Sequence, residues 1–369
     1  MIDGYCSEKY LPLKKIFQSY FINNEEAGAG FSIYQNEKPL IDIYGGYKNN
    51  KKEKWEKNTT VNIFSAVKGI YEILLCKLYN EKLIDIENNV GHYWNSFKSS
   101  DKRNIKVRDI LSHRSGIYRF KTKTNINDLS DWQKIISILE NQSPDHIPGE
   151  KTFYHAKTHG FLIGEILKKI FKKSLSDLLF EKITSRYNLQ LSTHLKKDDL
   201  KNTADIIYGE EPTFDNRNEF NAFNNPHHDL DLYNSEKFKT SEIPSFNGYS
   251  NSSSIAKIYD LVANVLKKNN SFMKKDTFIN CISENSSQID ESLKMKIRWT
   301  KSGLILRGGY LFGKNKSSFG HNGWGGSVGF ADPDLGIGVS YVTRKINPTM
   351  GSDLRPIKLI KEFYRLIEN

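Results

Sequence analysis

Segments with the pattern of β-strands occur near both ends of this sequence, and mostly helical segments separate them. Residues 31–34 and 40–44 predict a hairpin around a polar turn at 36–38. Later strand-like runs cover residues 296–299, 303–306, 328–331 and 337–342. We therefore expect one α/β (α+β) unit built from residues 1–80 and 250–369, with a mostly helical unit of residues 81–249 inserted in it.

Helices are predicted between and beyond these strands, where apolar residues recur at helical spacing. The predicted helices cover residues 11–21, 104–113, 131–140, 160–169, 254–267 and 357–367. A further helix begins near Ser65 and continues through Leu78. The polar stretch of residues 200–245 lacks this periodicity, so it is predicted to be a long ordered loop.

Composition argues against several classes of function. The formal net charge of +11 comes from lysines spread along the whole chain, without the basic stripe or binding motif of a nucleic-acid-binding protein. Cys6, Cys76 and Cys281 are odd in number and widely separated, which predicts neither a disulfide framework nor a metal site. No apolar run has the length of a signal-peptide core or of a membrane span. We therefore expect a soluble, reduced, cytoplasmic protein.

The stretch around Ser65 carries the first candidate site. A β-branched, apolar run ends at this serine, and Lys68 follows it by three residues. On a helix, residues at this spacing lie on one face, about 5–6 Å apart between their Cβ atoms. A lysine that burial and nearby positive charge keep neutral can remove the proton of a serine hydroxyl. Ser65 and Lys68 are therefore a candidate nucleophile and base.

The Ser-x-x-Lys spacing alone does not identify a catalytic pair. It recurs at Ser99–Lys102, Ser254–Lys257 and Ser271–Lys274, as expected in a chain rich in both residue types. Two further motifs, both downstream of Ser65, distinguish the first copy from these others.

The first of these motifs contains Tyr154 on a turn just before a predicted helix. A tyrosine close to cationic groups can shift toward the phenolate and shuttle protons, although a packed tyrosine with a satisfied hydroxyl is the commoner case. His155 and His159 have the i,i+4 spacing of zinc ligands. They lack the accompanying glutamate and a third ligand at a typical distance, so no metal site is predicted.

The second motif is the glycine-rich stretch of residues 319–330. Glycines allow a strand edge to approach a ligand so that backbone N–H groups can bind an oxyanion; an ordinary glycine bulge is the alternative. The stretch also contains Gly-x-Ser-x-Gly around Ser327, the pattern of a nucleophile elbow. An elbow requires a helix directly after the serine, and Pro333 with its neighbouring aspartates prevents a prompt helix start. Ser327 is therefore the rival nucleophile, and Ser65 is preferred.

Together, the three motifs resemble those of the serine β-lactamase and penicillin-binding-protein superfamily. The chain is most similar to the esterase branch, the β-lactamase-like carboxylesterases, with class C β-lactamases as cousins. The resemblance extends from about residue 4 to residue 341. It implies the β-lactamase/transpeptidase-like fold, an antiparallel sheet flanked by helices plus a helical domain, with the active site in the cleft between them. The matching segments are residues 45–46, 65–68, 111–116, 148–150, 154–156, 244–248 and 320–327.

The resemblance also implies a role for each matching residue. Ser65 attacks an acyl carbonyl and forms an acyl-enzyme, while Lys68 and Tyr154 take and return the proton. A water molecule later releases the acyl group, and no cofactor or metal is implied. The resemblance implies an oxyanion hole made by the backbone N–H groups of Ser65 and Trp324. It also places Gly323 and His321 among the residues that bind the oxyanion or the substrate. His321 stands where many relatives carry a lysine.

One departure from the family pattern bears on the substrate. Class C β-lactamases carry an asparagine two residues after the tyrosine, where it helps to hold the amide of the lactam, and this chain carries Ala156. A site without that group should bind amides less well, so the expected activity is hydrolysis of small carboxylic esters by a serine hydrolase. A β-lactamase or D-Ala-D-Ala peptidase is the alternative with the same chemistry. A non-catalytic ligand-binding or scaffolding relative is the alternative of another class.

Overall fold

The computed structural model describes residues 2–99, 101–210, 213–214, 216–227, 229–268, 270–307, 311–347 and 353–368. Its strands are β1 Ile2–Cys6, β2 Gly28–Gln35, β3 Lys38–Gly46, β4 Val61–Asn62, β5 Leu191–Ser192, β6 Ile207–Tyr208, β7 Tyr249–Ser250, β8 Glu284–Ile289, β9 Lys296–Thr300, β10 Ile305–Leu306, β11 Phe319–Asn322, β12 Val328–Asp332, β13 Ile337–Thr343 and β14 Lys345–Ile346.

Helices fill most of the chain between these strands. The α-helices are α1 Leu11–Ile22, α2 Ala66–Asn80, α3 Val90–Tyr93, α4 Val107–Leu111, α5 Ile126–Ser130, α6 Trp132–Asn141, α7 His159–Phe171, α8 Leu175–Leu179, α9 Arg217–Phe223, α10 Leu230–Asn234, α11 Glu236–Thr240, α12 Ser252–Lys268, α13 Lys275–Ile282 and α14 Leu354–Glu368. Short 3-10 helices cover Glu8–Tyr10 and Lys197–Asn202, and a π-helical turn covers Phe180–Thr184.

Strands from both ends of the chain form one antiparallel sheet, which confirms the predicted fold class. Its order among the described residues is β1-β3-β2-β13-β12-β11-β10-β9-β8. The two ends of the chain meet where β2 pairs with β13, with Phe31 opposite Tyr341. Short ladders join β14 to β6 and join β4, β7 and β5. Strand β4 of the second ladder lies directly before Ser65 in sequence.

Helices cover both faces of the sheet. Phe31 and Ile33 of β2 face the core that also contains residues of α1 and α14, while the alternate residue Ser32 donates a hydrogen bond to Ser252 of α12 at 2.8 Å. This period of two is the one expected of a strand buried on both sides. Helix α12 packs very closely against the sheet at Gly338 of β13. A Cβ atom at this position would lie only 2.0 Å from the carbonyl oxygen of Ala256.

Helix α2 lies at the centre of the second core. Its residues from Ala66 through Leu78 are all buried, and it packs against β11 and α13. Its apolar side chains share a core with those of α4, α6 and α7. A helix that is buried all round is fixed on every side, so the position of its N-terminus is fixed as well.

The stretch of residues 200–245 differs from its prediction. It contains the strand β6 and the three short helices α9, α10 and α11, so the prediction of one long loop is wrong. Each of these helices is too short to show an apolar period, but each begins at a side chain that caps it: Asn216, Asp229 and Ser235. Residues 211, 212, 215 and 228 of this stretch lie outside the described residues.

The other predicted helices are confirmed within a few residues at each end, although α4 is shorter than the predicted residues 104–113. Strands β1 and β8 were not predicted, because their residues alternate weakly between apolar and polar types. The division into domains at residues 80 and 250 stays a prediction. Among the described residues, no helix combines the length and apolar character needed to cross a membrane.

Candidate active site

The backbone before α2 presents Ser65 at the start of the helix. Asn62 accepts a hydrogen bond from the Phe64 N–H at 2.9 Å, and the Ile63 N–H donates to Gly248 at 2.8 Å. Phe64 has a φ of 48°, in the left-handed region that bulky residues rarely adopt. Such strained residues cluster at functional sites. The hydroxyl of Ser65 makes no capping bond, which leaves it available for other contacts.

Lys68 lies one turn further along α2 and contacts Ser65 directly. Its Nζ is 2.8 Å from the Ser65 Oγ, which confirms the predicted proximity of the two side chains. The same Nζ donates hydrogen bonds to the carbonyl oxygens of Ala156 at 3.1 Å and Ser245 at 2.5 Å. The side chain is completely buried. Three separate segments of the chain therefore meet at this one amine.

Burial lowers the pKa of Lys68 to about 7, against the opposing effect of Glu72 one turn below it. Both carboxylate oxygens of Glu72 are buried without a hydrogen-bond partner in the described residues, and burial raises the pKa of Glu72 well above its usual value. This rise in pKa favours the uncharged carboxyl, which weakens the attraction that opposes the effect of burial on Lys68. The amine is therefore available in its neutral form near neutral pH.

Tyr154 lies beside this pair. The Nζ of Lys68 is 5.1 Å from the centroid of its ring, and the hydroxyl interacts with the Ser65 side chain. A shift toward a phenolate, one of the two possibilities for this residue, is not favoured here, because burial raises the pKa of Tyr154 and outweighs the hydrogen bond with Ser65. The phenol therefore stays protonated and can donate or relay a proton.

A cluster of buried histidines packs behind Tyr154. The ring of His113 lies 4.7 Å from those of Tyr154 and His159, and 5.3 Å from that of His155, between centroids. Burial lowers the pKa of His155 to about 3 and the pKa values of His113 and His159 well below their usual range. These rings are neutral, so they add no positive charge around Lys68.

The suggested zinc pair in this cluster is engaged with protein groups instead. His155 contacts Ser115 and the carbonyl of Phe153, both at 2.6 Å. His159 contacts the Tyr71 hydroxyl at 2.7 Å and the carbonyl of Leu111 at 3.3 Å. All four ring nitrogens of the pair therefore have partners. Within the described part of the chain, no cluster of three or more potential ligands could hold a metal ion.

The glycine-rich turn between β11 and β12 packs against the start of α2. A Cβ atom at Gly323 would lie 2.1 Å from the carbonyl oxygen of Ile63, and the ring of Trp324 is 5.3 Å from that of Phe64. This contact requires glycine and holds the turn against the residues on either side of Ser65. Ser327, in contrast, is followed by the strand β12 and not by a helix, so the nucleophile elbow is not formed.

His321 is the last predicted site residue. It lies on β11, and its Nδ1 contacts the carbonyl oxygen of Asn322 at 2.8 Å. Burial lowers the pKa of His321 to about 3, so the ring is neutral and its proton is on Nδ1. Its Nε2 has no partner among the described residues. The ring therefore offers a neutral hydrogen-bond acceptor at this position.

One cavity brings these residues together. It has a volume of about 530 Å³ and is lined by Ser65, Tyr154, His321 and Trp324. Aromatic and aliphatic side chains complete much of its wall, namely Phe223, Leu293, Ile297, Trp299, Ile305 and Leu306. Cavities of this size accommodate small organic molecules. The dominance of apolar groups favours a substrate with a hydrophobic part.

Sequence reasoning missed several residues of the site. Glu72 lies four residues after Lys68, which the helical period alone could have indicated. Lys157 is almost completely buried next to the site, and its Nζ donates to the carbonyl of Pro226. Burial lowers the pKa of Lys157 to about 7. No pattern of residue types distinguishes this buried lysine from the many exposed ones.

Comparison with known families gives one match across nearly the whole chain. The family model described as Beta-lactamase matches residues 13–360. The chain is similar to a curated protein named "Esterase/beta-lactamase LipL" from Mycobacterium tuberculosis, with 23% identity over 95% of this chain and 85% of that protein. It is also similar to "Teichoic acid D-alanine hydrolase" from Staphylococcus aureus, with 27% identity over 49% of this chain and 43% of that protein.

Solved structures extend the similarity to the fold. A family VIII carboxylesterase superposes with a TM-score of 0.91 at 28% identity, covering 99% of this chain and 100% of that one. A penicillin-binding protein homologue from Caulobacter crescentus gives a TM-score of 0.91 at 25% identity over the same fractions. The fold is thus that of the β-lactamase and transpeptidase-like proteins.

Proposed function

The chain belongs to the beta-lactamase family, and on that basis we propose that it is a serine hydrolase that cleaves small carboxylic esters through an acyl-enzyme on Ser65. The observation that carries the proposal is the 2.8 Å contact between the Ser65 hydroxyl and the buried amine of Lys68. The names of two similar proteins, an esterase/beta-lactamase and a carboxylesterase, support the same reaction type.

Lys68 is proposed as the general base for the attack of Ser65. A neutral amine has two N–H donors and one lone pair. The carbonyl oxygens of Ala156 and Ser245 take the two donors, so the lone pair faces the Ser65 hydroxyl. Ser65 Oγ forms a bond with the acyl carbon while its proton moves to the Lys68 Nζ. The carbonyl electron pair moves to the oxygen, which becomes an oxyanion.

Two backbone N–H groups are proposed to bind this oxyanion, those of Ser65 and Trp324. The packing of Gly323 against Ile63 supports this assignment, because it holds the turn beside the start of α2. The start of a helix also favours negative charge. Donors of this kind typically contribute about 10²–10³-fold in rate each.

Tyr154 is proposed to relay the proton from Lys68 to the departing alcohol oxygen. Its protonated hydroxyl interacts with Ser65, and its ring centroid lies 5.1 Å from the Lys68 Nζ, so the hydroxyl can donate its own proton and receive another by way of the Ser65 oxygen. The ester C–O bond then breaks and the alcohol leaves. A water molecule then gives a proton to Lys68 and bonds to the acyl carbon, the bond to Ser65 Oγ breaks, and Oγ takes that proton back as the carboxylic acid leaves.

Esters are proposed over lactams because Ala156 offers no side-chain amide to hold the amide of a β-lactam. A β-lactamase or D-Ala-D-Ala peptidase is the second candidate, supported by the family itself and by the double name of its mycobacterial relative. Parallel assays with p-nitrophenyl butyrate and nitrocefin rank the two: fast nitrocefin turnover with slow ester cleavage would reverse the order. A cytoplasmic location is part of the proposal, and cell fractionation tests it.

The experiment that tests the proposal is covalent labelling. A fluorophosphonate should add one adduct to the wild-type protein, seen by intact mass, and none to Ser65→Ala. Ser327→Ala is the matched control and should label and turn over esters like the wild type. A folded wild-type protein that takes no adduct would favour the non-catalytic alternative. Labelling that is lost in Ser327→Ala but kept in Ser65→Ala would identify Ser327 as the nucleophile.

A further inference from the structure

The cavity that opens onto Ser65 carries an excess of positive charge. Five basic residues line it, and among its described lining residues there is no aspartate or glutamate; the basic residues are Lys296, Arg298, Arg307, Lys314 and Lys316. A cleft with apolar walls and charges of one sign concentrates ligands of the opposite sign. The charge distribution therefore selects among the esters that the proposed chemistry could hydrolyse.

Two of these five residues already have carboxylate partners. Arg298 pairs with Glu284 at 2.5 Å, and Lys314 pairs with Glu368. Within the described ranges, no ion pair involves Lys296, Arg307 or Lys316. Both lysines are exposed, where water solvates an ammonium group well.

Arg307 differs from the two lysines because it is partly buried. It follows β10, where its N–H donates to the carbonyl of Ser318 at 3.0 Å and fixes the backbone. Burial lowers the pKa of its guanidinium, and no carboxylate of the described residues opposes this shift. A partly desolvated guanidinium with five donors is costly to leave unpaired. A carboxylate or phosphate can satisfy such a fork with two parallel hydrogen bonds.

We propose that the substrate is an anionic ester, carrying a carboxylate or a phosphate that Arg307 binds within this cavity while Ser65 attacks the ester carbonyl. This inference rests on the proposed esterase function. The apolar wall then holds the uncharged part of the substrate, and the exposed lysines raise the rate at which the anion arrives. Hydrolysis releases an acid and an alcohol, one of which keeps the anionic group.

The test compares matched neutral and anionic esters. The charge lies on the alcohol side in p-acetoxybenzoate and p-acetoxyphenyl phosphate, with methyl p-acetoxybenzoate as their neutral partner. It lies on the acyl side in mono-p-nitrophenyl adipate, with p-nitrophenyl hexanoate as its partner. Each kcat/KM is divided by the rate of hydroxide-catalysed hydrolysis of the same ester. The wild type should prefer at least one anionic ester by about tenfold or more.

Variants then assign the preference to Arg307. Arg307→Gln should lower the anionic-to-neutral ratio by about tenfold, and Arg307→Lys should keep part of it. The ratio is internal to each preparation, so a loss of folded enzyme cancels. Arg103→Gln, at an exposed arginine that does not line the cavity, changes the net charge equally and should leave the ratio unchanged.

Three results separate the outcomes. A wild-type preference that Arg307→Gln removes supports the inference. The anionic ester that is preferred then shows whether the anion is a carboxylate or a phosphate, and whether it lies on the acyl or the alcohol side of the ester. Turnover of the neutral esters with no anionic preference, or a ratio that Arg307→Gln leaves intact, overturns the inference and keeps the esterase. A wild type that hydrolyses none of the esters and takes no fluorophosphonate adduct overturns the proposed function as well.

Discussion

Lys68 shows how burial alone changes the chemistry of a side chain. An exposed lysine is protonated at neutral pH, but the complete burial of this one lowers its pKa to about 7. The sequence predicted the spacing to Ser65, because a helix brings residues three apart together. It could not predict the two carbonyl groups of Ala156 and Ser245 that orient the amine, since both come from distant segments.

The pH dependence of catalysis follows from this shift. Because the base must be neutral, kcat/KM for a neutral ester should fall about tenfold per pH unit below pH 7 and level off above it. A pH profile of kcat/KM with p-nitrophenyl butyrate as substrate measures this decrease. A rate that stays constant from neutral pH down to acid pH would show that Lys68 is not the base.

Lys157 gives a prediction about stability. Its folded pKa of about 7 lies below the usual value near 10.4, so the unfolded state binds more protons between these values. Unfolding free energy therefore rises with pH through this window, and the cost of burying the charge is greatest at and below pH 7. Lys157→Met should stabilise the protein more at pH 7 than at pH 10, by on the order of a few kcal/mol.

Urea unfolding of wild type and Lys157→Met at the two pH values measures this difference. The exposed Lys294 offers a matched control, because Lys294→Met should give no comparable dependence on pH. If Lys157→Met changes the unfolding free energy equally at pH 7 and pH 10, the buried amine keeps its ordinary pKa.

At the scale of elements, the contact between the β11–β12 turn and the start of α2 connects the sheet to the nucleophile. The sequence indicated a close approach, because only glycines allow it, and the structure shows which backbone atom fills the space at Gly323. It did not indicate the left-handed Phe64 on the other side of the contact. Backbone strain of this kind depends on tertiary packing and leaves no mark on residue type.

Gly323→Ala tests this contact. The new Cβ would overlap the carbonyl oxygen of Ile63, so the turn must move and the N–H of residue 324 with it. We expect kcat to fall by about 10²-fold or more, the typical loss of one oxyanion donor, with fluorophosphonate labelling slowed in parallel. Gly149→Ala is the control for backbone strain without a clash, since its φ of 86° disfavours alanine but no atom lies within 4 Å of its added Cβ. Similar losses in kcat for both variants would contradict the assignment.

The prediction that residues 200–245 form one long loop failed because the helices in this stretch are short. Pattern analysis needs several turns of helix, and α9, α10 and α11 have between five and seven residues each. Their capping residues were visible in the sequence, but asparagine, aspartate and serine are equally common in loops. Phe223 at the end of α9 lines the cavity, so this part of the substrate wall could not be derived beforehand.

At the scale of the whole molecule, a buried ion-pair network joins α14 to the segment between α1 and β2. Arg355 of α14 pairs with Glu26 at 2.7 Å and with Asp353 at 2.6 Å, and all three side chains are almost fully buried. Tyr341 of β13 donates a further hydrogen bond to Glu26 at 2.7 Å. The network therefore holds α14 against the strands and the segment that follows α1.

Arg355→Met should destabilise the protein strongly, by about 3–5 kcal/mol, because it leaves two buried carboxylates without their cation. Urea denaturation at neutral pH measures the loss. Arg365→Met, in the same helix and paired with Glu362 at the surface, should change the unfolding midpoint little. A mild effect of Arg355→Met would contradict the assigned contribution of these buried ion pairs to stability.

The pairing of β2 with β13 has a consequence for biosynthesis. Phe31 and Tyr341 are neighbours in the sheet although more than three hundred residues separate them in the chain. A ribosome releases the β2–β3 hairpin long before its partner strand β13, and contacts of such long range form slowly. The hairpin must therefore wait with an unpaired edge until β13 has been synthesised, and a nascent chain stalled before β13 should depend on chaperones to stay unaggregated.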